Sequence, residues 1–256
     1  MSASKTSRPR NSGPKGRLGS YAVLRARLGK VRARALPQGR EDRARRILDA
    51  WLATAEAQGQ PLADTLDTLA TGQAAVALAA ITGEQIRATN PPELANAACA
   101  SGCAFCCILL EGDGGLITEA EARRLHRALA PLAGRPDGRA WNAHACAALD
   151  PATRQCRAYD ARPTVCRSFL STSVAACEVN ALGGEADGSG MLGNHLDYLA
   201  VLALSRELMR GSALLGTYAL DALARATVEG QDEKAALAAA RHPSRELDDT
   251  CHDIFG

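Results

Sequence analysis

Four cysteines fall within nine residues, Cys99-Ala-Ser-Gly-Cys103-Ala-Phe-Cys106-Cys107, and Cys146, Cys156, Cys166 and Cys177 follow. Eight of the nine cysteines thus occupy a window of 79 residues. Packing alone would scatter small apolar thiols along the chain. Thiols gathered in this way constrain the fold around them, because several segments must converge on one place. The physical reason to converge is a shared soft ligand site, for a transition metal or an iron–sulfur cluster.

Two geometries fit the first four. On an α-helix, Cys103, Cys106 and Cys107 would stand at about 40°, −20° and 80° from Cys99, all on one face. In a tight knuckle around Gly102, three sulfurs would converge while Cys107 turns elsewhere or to a second metal. A helix face of small packed residues is the plain alternative, and it gives no reason to use Cys in place of Ala. The later cysteines, Cys146, Cys156 and Cys166, lie ten residues apart, a spacing that matches no helix or strand period. Loops must therefore gather them, with Asp150-Pro151 and Arg162-Pro163 supplying stiff turns. Arg157, Arg162 and Arg167 sit beside these thiols and can offset thiolate charge or donate hydrogen bonds to sulfur, against the plainer reading of solvated arginines.

The scaffold reads as mainly α. Aromatic residues are 4% of a chain that is 46% hydrophobic, so the core must be built from Leu, Ala and Val, which suits packed helices better than sheet. Periodicity predicts helices over Glu41 to Gln58, with Ile47, Leu48, Trp51 and Leu52 on one stripe, and over Leu62 to Ala88, ending before Pro91-Pro92. Thr118-Glu-Ala-Glu121 is a capping box that opens a helix running to Pro131. Asn194 is expected to cap a helix ending at Gly211, Ser212 another reaching Gly230, and Asp232 a short Ala-rich one. Residues 134–193, rich in Pro, Gly and Cys, are expected to be mostly loop, and no alternating strand pattern is visible. The expected organisation is a basic, disordered head over 1–40, one helical domain over 41–241 containing a metal-binding region at 96–180, and a tail over 242–256.

Charge is divided unevenly. Residues 1–46 carry 14 Lys or Arg against Glu41 and Asp42, a net of +12, and the remainder carries a net of −10. The stretch from Tyr21 to Arg32 fits a short basic amphipathic helix. Such a head could contact nucleic acid or an anionic surface, or resemble a transit peptide, but Tyr21 is its one aromatic residue able to stack on a base. A solvated tail, or one docked on the chain's own acidic body, is the favoured reading. The most apolar run, Ala74–Ile81, is far short of the roughly 20 residues of a membrane span. No apolar segment of signal-peptide type follows the head, so a reducing, cytoplasmic setting is expected, where clustered cysteines serve metal rather than disulfides.

The combined pattern is C-x3-C-x2-C-C, then Ile117-Thr-x-x-Glu121, then C-x9-C-R-x-Y-D-x-R-P-x-x-C-R-x-F. It resembles the cysteine-cluster proteins of the YkgJ type, a family described as zinc- or iron-chelating, and a similar cluster occurs in flagellin lysine N-methylase. The resemblance covers about Cys99 to Cys177. It implies Cys99, Cys103, Cys106, Cys107, Cys146, Cys156, Cys166 and Cys177 as metal ligands. Adjacent cysteines and more than four ligands suit iron or an iron–sulfur cluster, the preferred reading, better than a single tetrahedral zinc, the alternative. Many members place Gly just after the second cysteine, whereas this chain has Ala104 there and Gly102 before it. The likeness leaves two functions open: a metal-binding protein with no deducible substrate, or an enzyme using the cluster for group transfer such as protein lysine N-methylation. No Rossmann-type glycine fingerprint supports the second. His144, His126, His195 and the Cys251-His252 pair are weaker candidates, and Gly183–Gly190 reads as a flexible loop without the Lys and Ser of a phosphate loop.

Overall fold

A computed structural model describes residues 18–110 and 112–256. Among these are twelve α-helices, and the first four are α1 (Tyr21–Leu28), α2 (Gln38–Ala57), α3 (Leu62–Ala70) and α4 (Gln73–Thr89). The next four are α5 (Pro92–Ala95), α6 (Glu119–Leu129), α7 (Thr164–Ser168) and α8 (Val174–Ala181). The last four are α9 (Gly193–Met209), α10 (Leu220–Val228), α11 (Glu233–Ala240) and α12 (Glu246–Phe255). Four three-residue strands accompany them: β1 (Leu116–Thr118), β2 (Phe169–Ser171), β3 (Ser189–Met191) and β4 (Thr217–Ala219). Antiparallel pairing sets Ile117 of β1 opposite Tyr218 of β4, and Leu170 of β2 opposite Gly190 of β3. Strands this short are too brief for alternation to show in sequence, so a mainly helical fold carries two small sheets that periodicity did not reveal.

Helix α9 is the hub. Thirteen of its 17 residues are buried, so it is wrapped on all sides in place of showing one polar face. Leu24, Leu48, Leu52 and Leu69 from α1, α2 and α3 pack around Leu199, Leu202 and Leu204 in one leucine- and alanine-rich core. A second core joins α6, α10 and α11 through Leu125, Leu129, Leu223 and Leu237, and Cys146 is part of it.

The stretch expected as one helix from Leu62 to Ala88 is two. Gly72 adopts φ +75° between α3 and α4, and a Cβ there would lie 2.5 Å from Thr118 Cγ2. The break lets β1 and the start of α6 approach, with the Ala120 amide donating to the Thr71 carbonyl at 3.1 Å. The helix expected from Ser212 instead begins at Leu220, because Thr217–Ala219 is drawn into β4. Helix α9 starts at Gly193, one residue before the expected cap at Asn194.

Both expected termini of the domain lie inside the packing. Of the head expected over 1–40, residues 1–17 lie outside the described residues. From Leu18 on the chain is folded: α1 buries Leu24 and Leu28, and the Tyr21 hydroxyl meets Thr65 Oγ1 at 2.5 Å. Its basic side chains reach the body's acids, as in Arg25 with Asp49 at 2.8 Å and Arg32 with Glu41 at 2.7 Å. The segment expected as a tail forms α12, which seats Leu247 and Cys251 in the α9 core. Among the described residues no helix is long and apolar enough to cross a membrane.

His195 lies in α9, only 5% exposed, stacked on Tyr198 with ring centroids 5.8 Å apart and with a buried Nδ1 that has no partner among the described residues. Burial brings its pKa down to about 4, against the opposing pull of Glu121. The folded protein therefore keeps the ring neutral, whereas the unfolded chain takes up a proton below the ordinary value near 6.5. Stability should be unaffected above that pH and fall as pH drops from about 6.5 toward 4, by about 3 kcal/mol in all. Urea unfolding across this range should show the slope in the native protein and its loss in His195→Gln; an unchanged slope in the variant would assign the effect elsewhere.

Candidate metal centre

The first cysteine loop is a knuckle and not an α-helix. Gly102 turns the chain at φ +79°, with the Cys103 amide on the Ala100 carbonyl at 3.0 Å, and a single 3-10 turn, Phe105–Cys107, follows. A Cβ on Gly102 would come within 3.3 Å of the Thr153 carbonyl, so glycine here also permits close approach of the second loop. Ala104 is 3% exposed and packs with Ala145 and Leu149.

Hydrogen bonds join the two halves of the motif directly. The Cys146 amide donates to the Cys107 carbonyl at 2.8 Å, and the Leu109 amide to the His144 carbonyl at 2.8 Å. The ten-residue spacing of Cys146 and Cys156 is that of a small hairpin-like loop. Leu149 bridges to Cys156, and the loop closes with Asp150 accepting from the Ala152 and Thr153 amides at 3.0 and 2.9 Å. Arg154 takes φ +57° at its tip. Gln155 Nε2 then donates to Ser101 Oγ at 2.9 Å, back across to the first knuckle.

Cys166 sits on α7, and α7 is fixed by a buried carboxylate. Glu121 is 0% exposed. One of its oxygens accepts from the Thr118 amide at 3.0 Å, completing the capping box, and from the Tyr198 hydroxyl at 2.7 Å. The other accepts from the Thr164 amide and hydroxyl, both at 2.6 Å, at the first turn of α7. Cys177 is carried by α8, which Ser173 caps. Cys99 is held by the Ser171 amide, which donates to its sulfur at 3.4 Å.

These elements meet around a cavity of about 510 Å³. Cys99, Cys103, Cys106 and Cys107 line it from the first half of the motif, and Cys156, Cys166 and Cys177 from the second. Cys146 is buried in the wall behind, close enough to Cys107 and Cys166 to raise their pKa values electrostatically. All nine cysteines of the chain are free thiols. Among the described residues, no three of these sulfurs lie within 4.8 Å of one another. The trio that does meet that distance is Asp113, His242 and Glu246, where His242 Nε2 and Asp113 Oδ2 pair at 2.7 Å near the turn before α12, apart from the cavity.

Burial pushes the Cys146 thiol up to about 12 and raises Cys156, Cys166 and Cys177 as well. Cys106 moves the other way: the hydrogen bond from Cys107 favours its thiolate, with Arg162 helping, and Cys107 is correspondingly held protonated. Among the arginines read beside the thiols, Arg162 and Arg167 line the cavity, and Arg157 turns away to the Pro136 and Ala147 carbonyls at 3.1 and 3.3 Å. Arg167 braces the turn before α7 through the Arg162 and Asp160 carbonyls at 2.9 and 2.6 Å. The Arg162 guanidinium stacks 4.0 Å over the Tyr159 ring. Sequence reasoning missed Arg154, Gln155 and Tyr159 as lining residues. Their proximity depends on the 150–155 loop folding back, which no local pattern announces.

His144, His126 and His195 do not line the cavity, and Cys251 belongs to the α9 core. Residues 98–183 match the CxxCxxCC family model, described as a putative zinc- or iron-chelating domain. That span takes in every cysteine around the cavity and about a third of the chain. No curated protein and no solved structure matches the sequence.

Glu121→Ala removes the acceptor for Tyr198, Thr164 and the α6 cap together. Buried donors left unpaired should cost about 3 kcal/mol. Glu121→Gln, which offers one acceptor oxygen for two, should lose less. Chemical denaturation at neutral pH checks this; a loss under about 1 kcal/mol for Glu121→Ala would show that the carboxylate does not hold α7 in place.

Proposed function

We propose that Cys99, Cys103, Cys106, Cys107, Cys146, Cys156, Cys166 and Cys177 supply the ligands of one iron-containing centre, as an iron–sulfur cluster or thiolate-bound iron, with zinc the alternative. The observation that carries this reading is the convergence of seven free thiols on one cavity, with the eighth in its wall. More than four candidate thiolates suit a cluster or two metals better than a single tetrahedral zinc. The donor set also fits a charged sulfur centre, since the Ser171 amide already donates to Cys99 and Arg162 stands near Cys106, Cys156 and Cys166. Because most of these thiols are held protonated, loading must release protons, and affinity should rise with pH. The sulfurs must also draw together, so metal uptake and ordering of these loops are one event.

Soft thiolate ligands of this kind persist in a reducing compartment, and the cytoplasm is the proposed location. The cavity is of the size that holds small molecules, which leaves group transfer, such as protein lysine N-methylation, as the alternative activity. The basic head is assigned no nucleic-acid or membrane role in this reading.

Elemental analysis and a visible spectrum of protein purified without oxygen test the proposal. Iron at about one atom or more per chain, with broad sulfur-to-iron absorption, is expected. Less than about one metal per ten chains would overturn it, and a colourless, zinc-replete protein would reverse the choice of metal.

A further inference from the structure

Among the described residues the cavity is lined by three arginines, Arg154, Arg162 and Arg167, and by no carboxylate. Among the described residues none of the three pairs with an acid, although the chain pairs many of its other arginines. Arg167 spends its Nε and one Nη on backbone carbonyls. Arg154 and Arg162 are different: within the described residues neither guanidinium donates a hydrogen bond, and Arg162 Nε is buried without a partner. Each is positioned by an aromatic ring, Arg162 over Tyr159 at 4.0 Å and Arg154 over Trp141 at 5.7 Å. Stacking holds a guanidinium in place and leaves its donors free.

The volume of the cavity points the same way. Its 510 Å³ falls within the range of small-molecule sites and is far more than one metal ion requires. Gln155, with Ser101, adds amide and hydroxyl groups to the same wall.

We propose that this cavity binds a small oxyanion beside the metal centre, a carboxylate or phosphate group held by the forked donors of Arg154 and Arg162. The proposal rests on the metal reading above and assigns that centre a ligand of defined chemistry. Planar guanidinium donors match both anions in bidentate fashion.

The test is calorimetric titration of the metal-loaded full chain with inorganic phosphate in one arm and succinate in the other, with metal content measured on each sample. Saturable binding near one anion per chain is expected in at least one arm, and the stronger arm identifies the class. Arg154→Gln and Arg162→Gln should each weaken it about tenfold or more. Arg154 is exposed at a loop tip, so its variant should fold and load normally. Absence of saturable binding in both arms, or binding undiminished in both variants, would overturn the proposal. A change in metal content or spectrum in Arg162→Gln with unaltered anion affinity would also overturn it, assigning that donor to sulfur. If the native chain takes up no metal, the metal reading fails by its own measurement, and titration of the same metal-free sample still decides whether the arginines hold an anion.

Discussion

A carboxylate with no exposure to water must have its charge met from within, and Glu121 is met by five donors and, among the described residues, no cation. Those donors come from three separate places: the Thr118 cap of α6, the Thr164 start of α7, and Tyr198 in the middle of α9. Breaking any one leaves a buried group unpaired, so the three elements are fixed together at high cost of separation. Through Thr164 the same carboxylate sets the position of Cys166, two residues on. The helical body thus reaches the cysteine region through one side chain whose partners are all specified.

The cysteine region itself has little regular structure, and its order comes from pairings between loops. Cys107 and Cys146 are joined by a backbone bond, Ser101 by Gln155, and Cys99 by Ser171. These contacts are few beside those of α9, which explains why metal should supply much of the folding free energy of this part of the chain. The helices fix where the cysteines converge, and the proposed centre requires the loops between them to bring the sulfurs closer.

Much of this was legible in the residues. The Thr118–Glu121 capping box, the buried stripe of α2 and the leucine pattern of α9 follow from periodicity and cap chemistry alone. The convergence of the cysteines followed from their density. What escaped was set by contacts distant in sequence. Gly72 breaks a helix because Thr118 must approach, and Thr217–Ala219 leaves helical geometry because β1 offers a partner. The head over 1–40 looked disordered from composition, while its Tyr21–Arg32 stretch fitted a short basic helix; in the structure that helix forms as α1, Tyr21, Leu24 and Leu28 are buried, and Arg25 and Arg32 pair with acids of the body. The tail, likewise, was unreadable without the α9 surface that buries Leu247 and Cys251. A second role for Glu121, beyond capping, needed Thr164 and Tyr198 to be seen beside it.

Whether the two halves of the cysteine pattern build one centre is the claim on which the account turns, and metal content in paired variants tests it most directly. Cys103→Ala and Cys166→Ala should each abolish uptake of the same metal, and the double variant should be no worse than either, as for members of one network. Cys251→Ala, in the α9 core, should leave the metal in place. Retention of about half the metal in each single variant, with complete loss only in the double, would show two separate sites and contradict a single centre.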